Sequence, residues 1–317
     1  MSTGTPVATR LAFYQGQFVE NSAVRLPLTT QALHYGTGVF EGIRAYADSA
    51  GGPLAVFRLR EHVERLLRSA GTLRIELPHD AGELAGIVLE LLDRNGCIGD
   101  TYIRPVAYKY ALAPGTPFGV RLSGVTAQFS VTTTAMGSYV PQAGLHCKIS
   151  SYRRVPSASI PSDAKITGTY ANNALAVEEA HADGCDDALM LDGDGNLTEA
   201  STSNVFVVLR DGRVATPPAT ADLLPGITRA SVIELLEREA GVVVEERPVP
   251  VAELLDAAEV FVSGTGVEIC PVTAIDHRVV GTGRAGDLTT EVRRIYTEVV
   301  RGRRPAYASW LTPVRFE

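Results

Sequence analysis

Residues 135–144, reading AMGSYVPQAG, are dense in turn formers and carry no hydrophobic period, and they divide the 317-residue chain into two halves. Each half mixes strand and helix patterns, which excludes an all-helical bundle and an all-β sandwich and predicts a mixed α/β (α+β) fold in two domains. The first domain is expected over residues 1–135, the connecting loop over 136–144 and the second domain over 145–317. In the first half, residues 54–57 and 102–110 read as strands, as do 125–133. Val63, Leu66, Leu67 and Ala70 share one helical face over 61–70, and Leu84, Ile87, Val88, Leu91 and Leu92 mark a second helix over 81–95 that Gly96 ends. In the second half, one helix follows Asn172 and Asn173. Another runs over 228–240, with Val232, Leu235 and Leu236 as its stripe and Gly241 as its stop.

The formal net charge is −7 and no lysine-rich tract occurs, so a nucleic-acid or membrane-surface role has no electrostatic support. No apolar run reaches spanning length and the first residues lack a basic region followed by an apolar one, which together predict a cytoplasmic protein. Cys97, Cys147, Cys185 and Cys270 show no Cys-x-x-Cys spacing, so buried free thiols are expected rather than a zinc knuckle or a disulfide framework, and no metal is expected.

Against 26 arginines the chain holds three lysines, Lys109, Lys148 and Lys165. Alternation places Lys109 and Lys148 on strand faces expected to be solvated. Lys165 instead lies in a Gly- and Thr-containing segment between Ser162-Asp163 and a helix, where little but chemistry calls for a charge. Glu199 follows the turn at 192–196, which resembles a calcium loop. Leu197 stands where that loop needs glycine and Ser203 where it needs glutamate, so a hairpin is expected.

An amine that burial can deprotonate and a carboxylate are what pyridoxal phosphate (PLP) asks of a protein: a lysine for its aldehyde and an acid beside its pyridine nitrogen. Lys165 and Glu199 are the candidates. The phosphate needs backbone N–H groups, hydroxyls and a cation. Leu224-Pro225-Gly226-Ile227-Thr228-Arg229 turns into a helix with Thr228 as the expected N-cap, and Thr265 lies on the tight turn Ser263-Gly264-Thr265-Gly266. Arg58, Arg60, Arg65 and Arg68 compete for the cationic role on spacing alone. Residues 281–286 match a dinucleotide fingerprint formally, but with one helix after them they are expected to be a turn.

Six segments in this order resemble the branched-chain aminotransferases, class IV (fold-type IV) PLP enzymes: residues 34–44, 102–105, Ala164-Lys165 with Tyr170, Glu199 with Ser203-Asn204, 224–229 and 263–265. The resemblance covers nearly the whole chain. It implies a small N-terminal α/β domain, a larger C-terminal domain with a bent β structure, and a homodimer with the active site between the domains. It also implies that Lys165 carries PLP, Tyr170 contacts the phenolic oxygen and Glu199 pairs with the ring nitrogen. Arg65, Leu224, Ile227, Thr228 and Thr265 would form the cofactor's remaining contacts, chiefly to the phosphate.

The implied reaction is ping-pong transamination between L-leucine, L-isoleucine or L-valine and 2-oxoglutarate, as in branched-chain amino-acid biosynthesis. Such a pocket must take an apolar side chain and a carboxylate in turn, so Tyr35, Phe40 and Tyr139 are expected as its wall and Arg104 as a shielded cation. Tyr102 and the amides of Thr265 and Gly266 would take the α-carboxylate, and Gly42 and Arg44 complete the set. The Tyr102-x-Arg104 pattern resembles the L-branched-chain subgroup, whereas D-amino acid transaminases carry Arg-x-His and Val106 stands at the histidine position here. Residues 111–120, ALAPGTPFGV, depart from the short glycine-rich loop of many bacterial members. The alternative readings are a fold-type IV transaminase for D-amino acids or (R)-amines, and a non-catalytic PLP-binding relative.

Overall fold

The computed structural model describes residues 10–48, 52–111, 119–137 and 143–316. Contacts group the chain into two compact units: Met1–Gly137 with Ala164–Gly168 and Val299–Glu317, and Ser138–Asp163 with Thr169–Glu298. The strap Ala164–Gly168 and the tail Val299–Glu317 thus belong to the first unit by contact, although they come late in sequence.

The first unit opens with β1 (Leu11–Tyr14), β2 (Gln17–Glu20), helix α1 (Gln31–Tyr35), β3 (Gly38–Phe40), β4 (Ile43–Tyr46) and β5 (Ala55–Phe57). Helices α2 (Leu59–Thr72) and α3 (Ala81–Arg94) follow, then β6 (Thr101–Lys109) and β7 (Ala127–Ala135). The late strand Leu311–Pro313 pairs with β5, giving an eight-stranded sheet in which β6 is bonded to β3, β4 and β7. Helix α3 forms where the 3.6 periodicity predicts it. Asp80 caps it reciprocally with Glu83, an arrangement that contributes about 1 kcal/mol. Its stripe of Leu84, Val88, Leu91 and Leu92 is fully buried. Helix α2 begins two residues before its expected start and buries His62, Arg65 and Ser69 as well as its apolar face.

The second unit contains β8 (Leu145–Arg153), α4 (Tyr170–Ala182), β9 (Asp187–Leu191), β10 (Leu197–Ala200), β11 (Asn204–Val208) and β12 (Val214–Thr216). It continues with α5 (Ile227–Ala240), β13 (Val244–Glu246), α6 (Val251–Leu255), β14 (Glu259–Gly264), β15 (Glu268–Ile275), β16 (Arg278–Val279) and most of α7 (Asp287–Val300). Its nine-stranded sheet runs β10-β9-β8-β15-β14-β11-β12-β13, with β16 on β15. The β8–β9, β8–β15 and β12–β13 pairs are parallel and the rest antiparallel, so the sheet is mixed. Leu189, Val205, Val207 and Val260 sit in its apolar core, and Ala176 and Ala180 of α4 pack on Ala188 and Met190 of β9. Residues 192–196 form the expected hairpin between β9 and β10, and 281–286 precede α7 as a turn. Among the described residues no helix is long and apolar enough to cross a membrane.

Three local expectations need correction. Lys109 is not solvated: it is 3% exposed, on the β6 face that also buries Ile103 and Ala107, and its ammonium donates to the carbonyls of Arg74 and Val125. Burial lowers its affinity for a proton. Helix α4 starts at Tyr170, ahead of the two asparagines, after a 3-10 turn over Thr167–Thr169. The N-cap of α5 is Gly226 rather than Thr228, which lies buried inside the first turn.

Candidate active site

In the first unit the strap that carries Lys165 is sewn onto β3. Phe40 N donates to Lys165 O at 3.1 Å, Lys165 N donates to Ser69 Oγ of α2 at 3.1 Å, and Thr167 Oγ1 donates to the carbonyls of Gly36 and Gly38 at 3.0 and 3.1 Å. Both flanking residues, Ala164 and Ile166, are buried, so the backbone is fixed while the side chain stays partly accessible. Lys165 Nζ lies 4.8 Å from the centroid of the Phe40 ring. Of the three lysines, Lys109 is spent on carbonyls and Lys148 on Asp183 at 2.8 Å.

Arg104 stands over the same ring, its Cζ 4.5 Å from the Phe40 centroid and 5.1 Å from that of Tyr102. Its Nη2 donates to the Tyr102 hydroxyl at 2.6 Å, while its Nε is buried with no hydrogen-bond partner. A guanidinium held against two rings with one unmet donor is suited to receive a carboxylate and to be covered when an apolar group arrives. Gly42 makes this geometry feasible, because a Cβ there would overlap the Tyr102 hydroxyl. Tyr35 ends α1 at 37% exposure, and Tyr139 lies outside the described residues. Arg44 is 1% exposed and engaged with Asp100 at 3.6 Å, the Met136 carbonyl at 3.2 Å and the Tyr46 ring at 5.0 Å, contacts that brace the sheet.

Of the four competing arginines only Arg65 is buried. Arg58 pairs with Glu61 and covers Trp310, Arg60 pairs with Glu64 at the surface, and Arg68 is exposed. Arg65 grips Glu41 as a fork, Nε to Oε1 at 2.6 Å and Nη2 to Oε2 at 2.9 Å, and His62 Nδ1 lies 2.8 Å from Oε2. The carboxylate can only accept, so His62 carries its proton on Nδ1. Burial alone would raise the Glu41 carboxyl, but Arg65 and His62 overcome it and hold it well below the usual carboxylate range. Burial lowers His62 against the pull of Glu41, with Arg65 and Lys165 adding to the lowering. Neither Glu41 nor His62 was given a role from the sequence, since nothing in the spacing of a charged residue in an apolar stretch reveals its partner.

In the second unit Glu199 sits where β10 slips register against β9, 5% exposed. Arg154 Nη2 meets its Oε1 at 2.8 Å, and Asn204 Nδ2 and Leu224 N donate to its Oε2, each at 3.3 Å. Arg154 is held in turn by Asn173 Oδ1 at 2.9 Å and the Asp222 carbonyl at 3.2 Å, and Asn173 donates to the Ser201 carbonyl. Arg154 and Asn173 were missed by sequence reasoning, because nothing local ties an arginine just past the end of one strand to an acid two strands away. Asn204 also donates to the Leu224 carbonyl at 3.0 Å, and a Cβ at Gly226 would overlap its amide oxygen, so glycine is required where the loop enters α5. That helix has no side-chain cap, which leaves its first amides, those of Ile227 and Thr228 among them, to an outside acceptor. Thr265 and Gly266 form the partly buried turn between β14 and β15, next to Ser263, whose buried hydroxyl has no hydrogen-bond partner. Tyr170 is the first residue of α4. Within the second unit, an uncapped helix start, an orphaned hydroxyl and an oriented carboxylate fit the phosphate and ring nitrogen of PLP in charge and donor type.

The sequence profile described as "Amino-transferase class IV" matches residues 38–275. The chain belongs to that family. A probable branched-chain-amino-acid aminotransferase of Aquifex aeolicus is 40% identical over 304 residues, 96% of either chain. The crystal structure of the branched-chain amino acid aminotransferase from Thermobaculum terrenum in its PLP form has a TM-score of 0.90 at 33% identity, covering 98% of this chain and 99% of that one. The branched-chain aminotransferase of Thermoproteus uzoniensis with norvaline has a TM-score of 0.90 at 38% identity, covering 97% and 100%.

Proposed function

We propose that this class IV aminotransferase is a PLP-dependent enzyme that exchanges the amino group between L-branched-chain amino acids and 2-oxoglutarate. The observation that carries the reading is Arg104, a cation sheltered by Phe40 and Tyr102 with one unmet donor, next to the same ring as Lys165. An apolar side chain can rest on that wall in one half-reaction, and the distal carboxylate of the acceptor can pair with the Arg104 guanidinium in the other. Nothing in the arrangement favours a D-amino acid or a non-catalytic role.

PLP supplies an aldehyde and an electron-accepting ring when bound. Lys165 Nζ would hold the aldehyde carbon and, when free, would carry the proton from the substrate Cα. Glu199, anchored by Arg154, would keep the ring nitrogen protonated, and Tyr170 would orient the phenolic oxygen. Arg65, the Ile227 and Thr228 amides and the Thr265 hydroxyl would hold the phosphate, with Leu224 shaping the approach. Tyr102 and the amides of Thr265 and Gly266 hold the α-carboxylate. Gly42 admits the Tyr102 hydroxyl, Phe40 walls the side chain together with a Tyr35 that reaches in across the homodimer, and Arg44 braces the strand.

The reading includes a homodimer, supported by Leu26, Leu28 and Leu33, exposed at 53%, 83% and 68% around α1, of which Leu26 and Leu33 line an apolar pocket with Phe13, Val106 and Tyr108. It includes a cytoplasmic location, supported by four buried free thiols. The test is the visible spectrum of the PLP-loaded protein on adding L-leucine without any oxo acid. Conversion of the lysine-bound band to the pyridoxamine form supports the assignment. A band that moves with D-alanine and not with L-leucine overturns it.

A further inference from the structure

Three ligand-bearing side chains far apart in sequence meet in the second unit, away from every residue assigned above. His146 is on β8, Cys185 in the turn between α4 and β9, and His277 in the hairpin turn between β15 and β16. Their donor atoms lie within 4.8 Å of one another, and among the described residues theirs is the only such group of His, Cys, Asp or Glu. The imidazole rings are 4.8 Å apart and nearly perpendicular, at 85°.

The three segments are tied together independently of these side chains. Asp186 N donates to His146 O at 2.7 Å, and His146 N donates to Asp186 Oδ2 at 2.7 Å. Asp276 N donates to Cys147 O at 2.9 Å, and Ile149 N donates to Asp276 Oδ1 at 2.9 Å. The turn bearing His277 runs through left-handed backbone at two non-glycine residues, Asp276 (φ 46°) and His277 (φ 62°), a conformation that glycine or asparagine adopts at lower cost. Cys185 is 4% exposed, His146 half-buried and His277 exposed, so one donor is fixed inside while another closes from outside.

We propose that His146, Cys185 and His277 bind a divalent metal ion of the zinc class. One thiol and two imidazoles are borderline-soft donors that suit zinc, cobalt or nickel rather than magnesium or calcium. In a tetrahedral site with ordinary Zn–S and Zn–N bonds the donors stand about 3.6 Å apart, so the widest pair must close by roughly 1 Å. His277, on an exposed turn, can supply that movement. The His146 Nε2 lone pair now accepts the His277 backbone N–H at 3.1 Å and would turn to the metal, while the Cys185 thiol gives its proton to solvent as sulfur binds. A water molecule would fill the fourth position, with Asp183, whose Oδ2 is 3.4 Å from His277 Nε2 and 2.8 Å from Lys148 Nζ, at the edge of the site. Asp183, Asp186 and Asp276 bring negative charge to these segments, offset in part by Lys148. The ion would staple β8, the α4–β9 turn and the β15–β16 hairpin.

The experiment uses the PLP-loaded protein stripped with a chelator, reloaded with Zn²⁺ or Co²⁺ and desalted. The wild type is expected to retain one metal per chain, and the Co²⁺ difference spectrum to show a thiolate-to-metal charge-transfer band. Cys185→Ser should lose that band, and His277→Ala, which removes an exposed ring, should weaken metal binding by more than about tenfold. Both variants should turn over L-leucine like the wild type. A wild type that retains no metal, or a Cys185→Ser protein with unchanged affinity and spectrum, overturns the proposal.

Discussion

Replacing Glu41 with Gln tests whether the buried fork in the first unit is the element that aims Arg65. Glu41 is 0% exposed and Arg65 7%, and the two Arg65 nitrogens that point at the carboxylate do so at 2.6 and 2.9 Å. A glutamine oxygen can keep one of these bonds, but its NH₂ then faces donors on Arg65 and His62, and the buried guanidinium loses its counter-charge. Breaking a buried pair from one side costs about 3–5 kcal/mol. For a unit of this size that lowers the melting temperature by roughly 6–20 °C. The assay is thermal unfolding of the cofactor-free protein, followed by the fluorescence of the single tryptophan, Trp310, which packs in the first unit on Phe57 and Arg58. With PLP added the loss should shrink, because a phosphate on Arg65 replaces the missing charge, whereas Arg65→Gln should lower both stability and PLP affinity. A shift of Glu41→Gln below about 2 °C, or a loss that PLP does not reduce, would refute the reasoning.

Other consequences are as direct. Glu199→Gln should keep bound PLP and lose on the order of 100-fold in kcat, and an unchanged rate would remove Glu199 from the ring-nitrogen role. Gly42→Ala should displace the Tyr102 hydroxyl from Arg104 and lower kcat/KM for L-leucine and 2-oxoglutarate by about 10–100-fold at unchanged PLP affinity, which steady-state kinetics and a PLP titration read separately. Stability should fall as pH drops from 7. His62 and Glu41 both bind protons less readily folded than unfolded, so the His62 contribution begins to fade below about 6.5 and that of Glu41 below about 4.3. Denaturant midpoints of His62→Gln should lack the upper part of that decline; a wild-type profile flat from pH 7 to 4 would contradict it.

What the sequence made legible follows from what is local. Helix α3 could be placed almost to the residue because its period and the glycine after it act within a few residues. The segments that carry Lys165, Glu199 and the start of α5 were readable because turn formers and chemistry-bearing residues sit side by side. Lys109 was misjudged because alternation separates two faces of a strand without telling which one the fold buries. The pairs Glu41–Arg65 and Arg154–Glu199 were invisible because an ion pair between distant segments depends on topology, and the cluster of His146, Cys185 and His277 escaped for the same reason. Placing the cap of α5 at Thr228 instead of Gly226 is the ordinary ambiguity of a helix start, where neighbouring residues compete for the same turn.

The central claim is that Lys165, of three lysines, is the residue that holds PLP. Borohydride reduction of the PLP-loaded protein, followed by proteolysis and mass mapping, tests it most directly. The account predicts the cofactor's mass on the Lys165 peptide alone, and none after the same treatment of Lys165→Ala. A label on Lys109 or Lys148, or an unlabelled wild type, would contradict it.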